Sequence, residues 1–368
     1  MSRQGVPETM AAVLLTGHGG FDKLVYRTDV PVSVPGKEEV LIRVGAAGVN
    51  NTDINTRIGW YSKSVTGATN EGVTDGLETV DQEDAGWSGT PLSFPRIQGA
   101  DCCGRIVAVG EGVDGERIGE RVIVRNMLRT YVNYRAFECW TLGSECDGAF
   151  AQYVKAPAKE TFSVRCDWTD VELASIPCAY STAENMLQRA GLSAGECVLV
   201  TGASGGVGSA AVQLAKRRGA KVFAVAGGDK AEAVSALGAD RVIPRGEDLR
   251  KAIAPGSLDL VVDLVAGPQW PNLLDGLRRG GRYAVAGAIA GPLVELDVRT
   301  LYLKDLTFSG CTFQEDIVFE NLVRYIEDGE IRPVVAGVYP LDRIVDAQRA
   351  FLEKAFIGKL VLQPPGDG

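Results

Sequence analysis

Val198-Leu199-Val200-Thr201-Gly202-Ala203-Ser204-Gly205-Gly206-Val207-Gly208-Ser209 runs from a β-branched strand through a glycine turn directly into a helix. N–H groups at a helix start have no intrahelical acceptor, the helix dipole adds partial positive charge there, and glycine lets a phosphate approach the backbone closely. Such a turn can hold the pyrophosphate of a dinucleotide. Against the G-x-G-x-x-G pattern, Ala203 takes the first glycine position, and Gly205 and Gly208 fill the other two. An ordinary glycine-rich α/β turn is the alternative, and the next segments argue against it. Ala210, Ala211, Leu214 and Ala215 form a small apolar helix stripe, Gly219 stops it, and 221–226 (KVFAVA) is a second strand, which completes a βαβ unit. Ala203, Ser204, Gly205, Gly206 and Val207 are therefore candidate phosphate-facing residues.

Working outward, 160–312 alternates strands and helices, with further strands at 241–243, 258–263, 281–286 and 306–309. With the first two, this makes a six-stranded, doubly wound parallel sheet whose ligand lies beyond the carboxyl ends of its strands. Upstream, 11–15, 24–26, 40–44, 105–109, 121–124 and 150–154 read as strands separated by turns, a β-rich region. Downstream, an amphipathic helix at 317–327, a strand at 335–339, a helix at 341–354 and a strand at 358–362 return to that region. The expected organisation is 1–158 β-rich, 159–312 nucleotide-binding and 313–368 a return to the first region. A small-molecule site belongs in the cleft between them. Residues 62–95 stand apart, rich in Gly, Thr and acid, framed by Trp60, Tyr61 and Trp87. They read as a solvated excursion or as a lid over substrate.

The chain has 368 residues, 45% hydrophobic and 23% charged, the composition of an ordinary globular protein. No stretch approaches the roughly 18 apolar residues of a membrane span, and the N-terminal MSRQGVPET lacks the apolar core of a signal peptide, so a cytoplasmic location is expected. A net charge of −9 argues against a nucleic-acid or anionic-membrane surface. The eight cysteines are scattered without a C-x-x-C pair and read as free thiols. The single histidine, His18, falls in a Gly17-His18-Gly19-Gly20 turn and reads as a surface-loop residue rather than a catalytic base.

These features add up to a family resemblance. Ala47-Gly48-Val49-Asn50-Asn51-Thr52-Asp53, Gly99-Ala100-Asp101-Cys102-Cys103-Gly104, Ala179-Tyr180-Ser181-Thr182-Ala183, the glycine turn, Leu237-Gly238-Ala239-Asp240 and Gly358-Lys359-Leu360-Val361-Leu362 resemble the medium-chain dehydrogenase/reductase superfamily, in its zinc-independent, quinone-oxidoreductase-like branch. The resemblance implies a GroES-like β-domain joined to a Rossmann domain, NAD(P)H-dependent hydride transfer, and a homodimer or tetramer, of which the homodimer is expected here. It also implies where the zinc enzymes carry their catalytic ligands, and those positions read Asn50, Ala100 and Cys178 in this chain. One plausible ligand of three remains, and only Cys139 and Cys146 stand in the region of the four-cysteine lobe. No metal is expected.

At the end of the second strand, where NAD-binding domains carry Asp or Glu, the chain reads Ala226-Gly227-Gly228. Gly227 leaves room for a 2′-phosphate and Lys230 can neutralise it, with Arg245 a second candidate for phosphate contact or adenine stacking, so NADPH is the expected cofactor. Asp229 reaching the ribose, and a merely solvated Lys230, are the competing readings. Gly287, Thr182 beside the nicotinamide and Lys359 on the phosphates complete the cofactor candidates that the resemblance implies; Lys359 reads equally as a strand-edge lysine. The catalytic candidates are Asn50, donating an amide hydrogen bond to substrate or ribose, Thr52 as a proton relay, and Tyr61 as a donor from the loop. Turn, helix-cap and loop-anchor roles are their alternatives. Asp53 and Asp101 read as residues that fix local structure. Without a metal, the chemistry favours conjugate reduction of an activated C=C or a quinone, whose delocalised anion hydrogen bonds can support. A zinc-free alcohol or aldehyde dehydrogenase, and an NADPH-binding protein without turnover, are the alternatives, and a small molecule is the only partner class beyond the second subunit.

Overall fold

The computed structural model describes residues 5–77 and 80–366; Glu78, one of the acidic residues of the long loop, lies outside them. In chain order come β1 (Thr9–Leu15), β2 (Leu24–Pro31), β3 (Glu39–Gly48), α1 (Asn51–Ile58), β4 (Arg96–Ile97), β5 (Cys103–Val109), β6 (Arg121–Val124), β7 (Met127–Leu128), β8 (Trp140–Thr141), β9 (Tyr153–Pro157) and β10 (Thr161–Ser163). Helices α2 (Asp170–Leu173) and α3 (Pro177–Arg189) lead into β11 (Cys197–Val200), α4 (Gly206–Arg217), β12 (Lys221–Ala226), α5 (Ala231–Ala236), β13 (Arg241–Pro244), α6 (Leu249–Ala252) and β14 (Leu258–Asp263). Then follow α7 (Trp270–Gly276), β15 (Leu277–Val285), α8 (Val298–Leu303), β16 (Thr307–Gly310), α9 (Asp316–Glu327), β17 (Val335–Pro340), α10 (Ile344–Glu353) and β18 (Lys359–Gln363).

The nucleotide region is a six-stranded sheet in the order β13-β12-β11-β14-β15-β16, every neighbouring pair parallel. Its central strand shows why. Val198 and Val200 enter one apolar core with α3 and α4, while Leu199 enters another with Trp270 and Tyr283, as the two-residue period of a strand covered on both faces requires. The strand order reverses at β11, so the glycine turn that follows it sits at the switch point of the sheet. In the β-rich region, β18 pairs antiparallel with β3, Val361 opposite Gly48 and Leu362 opposite Ala47, and β17 pairs with β18. The chain end thereby returns to the first region's sheet and brings Lys359 alongside residues 48–50.

Several details differ from the sequence expectation. The strand expected at 150–154 is Tyr153–Pro157, because Ala149 and Phe150 give their N–H groups to Gly99 and Gln98 across a corner. The helix expected at 341–354 splits into a 3₁₀ turn, Leu341–Arg343, and α10. His18 stands in the expected loop but is half-buried: Nδ1 lies 2.9 Å from the Thr56 carbonyl, the ring meets Phe94 edge-on, and burial lowers its pKa. The 62–95 excursion has no helix or strand among its described residues, yet Ser62, Val65, Thr69, Val73 and Ala85 are buried. Trp60 Nε1 donates to Gly67 O, and Thr69 N–H donates across to Ile289 O of the nucleotide region at 3.1 Å. All eight cysteines are free thiols. No helix among the described residues is long and apolar enough to cross a membrane.

Candidate cofactor and substrate cleft

The glycine turn is shaped by what its residues lack. A Cβ on Gly208 would lie 2.2 Å from Gly202 O, so only glycine lets α4 start this close to the end of β11. Gly205 has nothing nearer than 3.5 Å to such an atom, which leaves the outer face of the turn open. Gly205 N–H closes the turn on Gly202 O, Ala203 N–H donates to Val225 O, and Ser204 O accepts from Gly358 N–H, tying the turn to β18. Gly206 and Val207 open a 12-residue helix whose first N–H groups point out of its end. Room, donors and dipole together fit a pyrophosphate.

At the far end of β12, Ala226 and Gly227 present no carboxylate, and Asp229 is exposed. Lys230 turns toward the chain end, its ammonium donating to the carbonyl of Lys354, the left-handed residue that caps α10. Burial and the neighbouring Lys230 charge lower the Lys354 pKa to about 8. The Lys354 ammonium itself lies over the Phe351 ring, 3.8 Å from its centroid, and Lys230 is the amine next to the end of β12. Sequence reasoning missed Lys354, since it is a lysine after a helix with no motif around it. Arg245 is exposed, held beside the end of β12 by its N–H to Ala226 O. Gly287, just past β15, is another position of close approach, because a Cβ there would lie 2.8 Å from Leu264 O.

Opposite the turn, α1 begins at a capped, buried junction. Asn50 N–H donates to Asp53 Oδ2 at 2.7 Å, and Asp53, which also accepts from Ala100 N–H, is so buried that its pKa rises to about 7. Asn50 Nδ2 donates to Asp101 Oδ2 at 2.8 Å and to Gly48 O, while Asn50 Oδ1 accepts from Lys359 Nζ. Lys359 Nζ also donates to Asp101 Oδ2 at 2.7 Å, and Asp101 Oδ1 takes Cys178 N–H at 2.6 Å. Lys359 is 3% exposed and Asp101 0%. Two expectations change here. Asn50 has spent its amide inside the protein and is a positioning residue, and the Lys359 ammonium faces Asp101 rather than the phosphates. Its stem still borders the turn, where a Cβ on Gly206 would lie 2.8 Å from Lys359 Cδ. Asp101 therefore links α1, β18 and the start of α3. Thr182 lies one turn further along α3, half-buried, beside Cys178, whose thiol burial holds protonated.

Thr52, second residue of α1, has Oγ1 2.9 Å from the Tyr61 hydroxyl. Burial pushes the Tyr61 phenol far above its ordinary value, so it stays a proton donor. Tyr61 faces a cavity of ≈ 800 Å³ bounded by the 87–93 part of the long loop, the segment around β8, and Thr312.

Residues 36–165 match the alcohol dehydrogenase GroES-like domain family and residues 206–328 the zinc-binding dehydrogenase family. A solved putative alcohol dehydrogenase from Sinorhizobium meliloti 1021 is 48% identical, with a TM-score of 0.88 and 99% of each chain covered. The chain belongs to the medium-chain dehydrogenase/reductase superfamily. Among curated relatives, an acryloyl-coenzyme A reductase of Sulfurisphaera tokodaii is 29% identical over 96% of this chain and 100% of its own length. A quinone oxidoreductase of Lama guanicoe is also 29% identical, over 96% of this chain and 97% of its own length.

The name of the second family implies zinc, and the donor set does not fit it. At the superfamily's ligand positions stand Asn50, Ala100 and Cys178, and an ammonium already occupies the carboxylate of Asp101. No three His, Cys, Asp or Glu side chains converge on one point among the described residues. Cys139 and Cys146 do not form a pair either: Cys139 donates to Met127 Sδ, and burial raises both thiols to about 12.

Proposed function

We propose that this chain is an NADPH-dependent reductase that acts without a metal on an activated C=C bond, in an enone or enoyl compound, or on a quinone. The observation that carries this reading is the Thr52–Tyr61 hydroxyl pair, 2.9 Å apart, whose Tyr61 is one of the residues lining the cavity. The glycine turn holds the pyrophosphate, Lys230 and Lys354 neutralise the 2′-phosphate with Arg245 at the rim, and Thr182 borders the nicotinamide. Bound there, NADPH supplies the hydride. Tyr61 donates a hydrogen bond to the acceptor's oxygen, and Thr52, bonded to the Tyr61 hydroxyl, orients it and connects it to a proton source. Two hydroxyls suit an enolate or hydroquinone anion, whose charge is spread; a saturated ketone would place a localised alkoxide against neutral donors. The names of the relatives, a quinone oxidoreductase and an acryloyl-coenzyme A reductase, agree with this choice.

The test is NADPH oxidation, with chelator present, against a quinone, an α,β-unsaturated ketone and the saturated ketone of equal size. Turnover confined to the conjugated acceptors and indifferent to added zinc is the expected result. Turnover of the saturated ketone, or a zinc requirement, would favour the alcohol dehydrogenase reading that the solved Sinorhizobium relative's name suggests. Tight NADPH binding with no turnover of any acceptor would favour a non-catalytic role.

We also propose that two copies associate through the edge of the parallel sheet. Strand β16 has no further neighbour among the described residues, and Leu293 and, on α8, Val298, Tyr302 and Leu303 are 70%, 60%, 59% and 55% exposed, apolar surface that its own copy could cover across a two-fold axis. Light scattering should give a dimer, and Tyr302→Glu with Leu303→Glu a monomer.

A further inference from the structure

We propose that the acceptor is a flat, uncharged, aryl-conjugated carbonyl compound, held by an aromatic wall of Trp87, Phe137 and Trp140. This rests on the reductase reading and specifies its substrate class. The cavity that Tyr61 faces holds ≈ 800 Å³, far more than a three- or four-carbon enone fills and within the range of sites for drug-sized molecules. Its walls come from the two parts of the β-rich region that lack long strands. The 62–95 excursion contributes Trp87, Pro91 and Leu92, and the 130–145 segment contributes Phe137 and Trp140.

Those rings are held, not loose. Trp140 packs on Tyr131 with ring centroids 5.1 Å apart, and the Tyr131 hydroxyl is anchored to Glu39 at 2.6 Å. Phe137 packs on Phe313 at 5.3 Å, a residue that follows β16, so the wall spans both regions. Yet Phe137 is 72% exposed and Trp140 37%, apolar surface left facing the cavity and water. The backbone that carries them is strained at Tyr134 and Phe137, at φ 54° and 63°, in the left-handed region that aromatic residues rarely adopt. Strain of this kind persists only where its surroundings enforce it, and it gathers at ligand sites. A flat aromatic acceptor covers the exposed rings and gains offset or edge-on contacts beyond simple burial.

The charges of the wall point to a neutral acceptor. Arg135 is bonded to Glu138 and Arg96 to Asp147 at 2.9 Å, while Glu145 accepts the N–H groups of Ser88 and Thr141. The ionised residues lining the cavity are two arginines, Arg96 and Arg135, and two glutamates, Glu138 and Glu145, so the lining carries no excess of cations for the phosphates of an acyl-coenzyme A. By this reading the chain differs in acceptor from the acryloyl-coenzyme A reductases it resembles in sequence.

The experiment compares NADPH-driven reduction of 3-buten-2-one, trans-4-phenyl-3-buten-2-one and acryloyl-coenzyme A. The phenyl ketone should show a KM at least about 30-fold below that of butenone, the gain expected from burying one aromatic ring, and the thioester should be the poorest acceptor. Trp140→Ala should raise the KM for the phenyl ketone at least about tenfold more than the KM for butenone, and Trp140→Phe should restore most of the difference. In parallel, the saturated analogues 4-phenylbutan-2-one and butan-2-one are titrated calorimetrically into wild-type protein saturated with NADP⁺. Preferential binding of the aryl analogue without turnover of any acceptor would sink the reductase reading and leave the aromatic site standing. Equal affinity for the two analogues, or a preference for the thioester, would overturn the proposal whatever the turnover.

Discussion

The two walls of the cleft are built on different principles. On the nucleotide side, the glycine turn acts through backbone N–H groups and through side chains that are absent, and its geometry is set within about one βαβ unit of sequence. On the β-rich side, the working groups are side chains from residues 50, 52, 61, 101 and 359, brought together from three separate stretches of chain. Backbone sites have few solutions and tolerate little substitution at their glycines. A side-chain cluster can change its chemistry residue by residue while the fold stays put, and here the Asp101 carboxylate is taken up by the Lys359 ammonium, the Asn50 amide and the Cys178 N–H.

The sharpest way to separate the two walls is Tyr61→Phe. Loss of the donor on the substrate side should lower kcat by about 10²–10⁴ while NADPH affinity, set on the other wall, stays within about twofold. Stopped-flow turnover with fluorescence titration of NADPH checks both halves. Lys359→Met should destabilise the fold by about 3–5 kcal/mol in chemical denaturation, because it leaves the Asp101 carboxylate buried and unpaired. Adding Asp101→Asn to Lys359→Met should recover most of that loss; a Lys359→Met cost below about 1 kcal/mol would mean the cluster is not interdependent. By contrast, Gly205→Ala has room for its Cβ and should cost under about 1 kcal/mol of stability while weakening NADPH binding, since its open face is where the phosphates approach.

Smaller effects test the ribose end. Lys354→Ala should weaken NADPH by about 10–100-fold, the range for charge-assisted hydrogen bonds, and leave NADH almost unchanged. Because the Lys354 pKa is lowered to about 8, NADPH affinity should fall as pH rises through that value while NADH affinity stays flat, measurable by calorimetry across pH 7 to 9. Asp53 tests the β-rich wall through stability instead. Its folded pKa of about 7 lies above the ordinary 3.8, so between those values the unfolded chain has released a proton that the folded chain still holds. Asp53 therefore makes stability decline as pH rises from about 4 to about 7, and Asp53→Asn should flatten that slope in a series of Tm measurements.

The contrast between the walls also explains what was legible in the sequence. The six strands and the glycine turn could be read because β-branched runs, glycine punctuation and two-residue periodicity are local signals. The short strands β4, β7, β8 and β10 could not, since two or three residues carry no period. Thr52 and Tyr61 were legible as hydroxyls near the site, but not their 2.9 Å pairing, which depends on the chain turning back after α1. The sequence leaves Lys359 open between the phosphates and a strand edge, and Asn50 between a donor and a turn residue, because their shared partner Asp101 lies 258 and 51 positions away. Lys354 left no signal at all, since its place next to Lys230 depends on how the end of α10 packs.

We propose conjugate reduction assisted by the Thr52–Tyr61 hydroxyls. The most direct test is to supply NADPH deuterated at the transferring position with an enone and a chelator, and to locate the label in the product by NMR. Conjugate reduction puts deuterium on the β-carbon of a saturated ketone with the carbonyl intact; deuterium on a carbinol carbon, with the double bond retained, would overturn it.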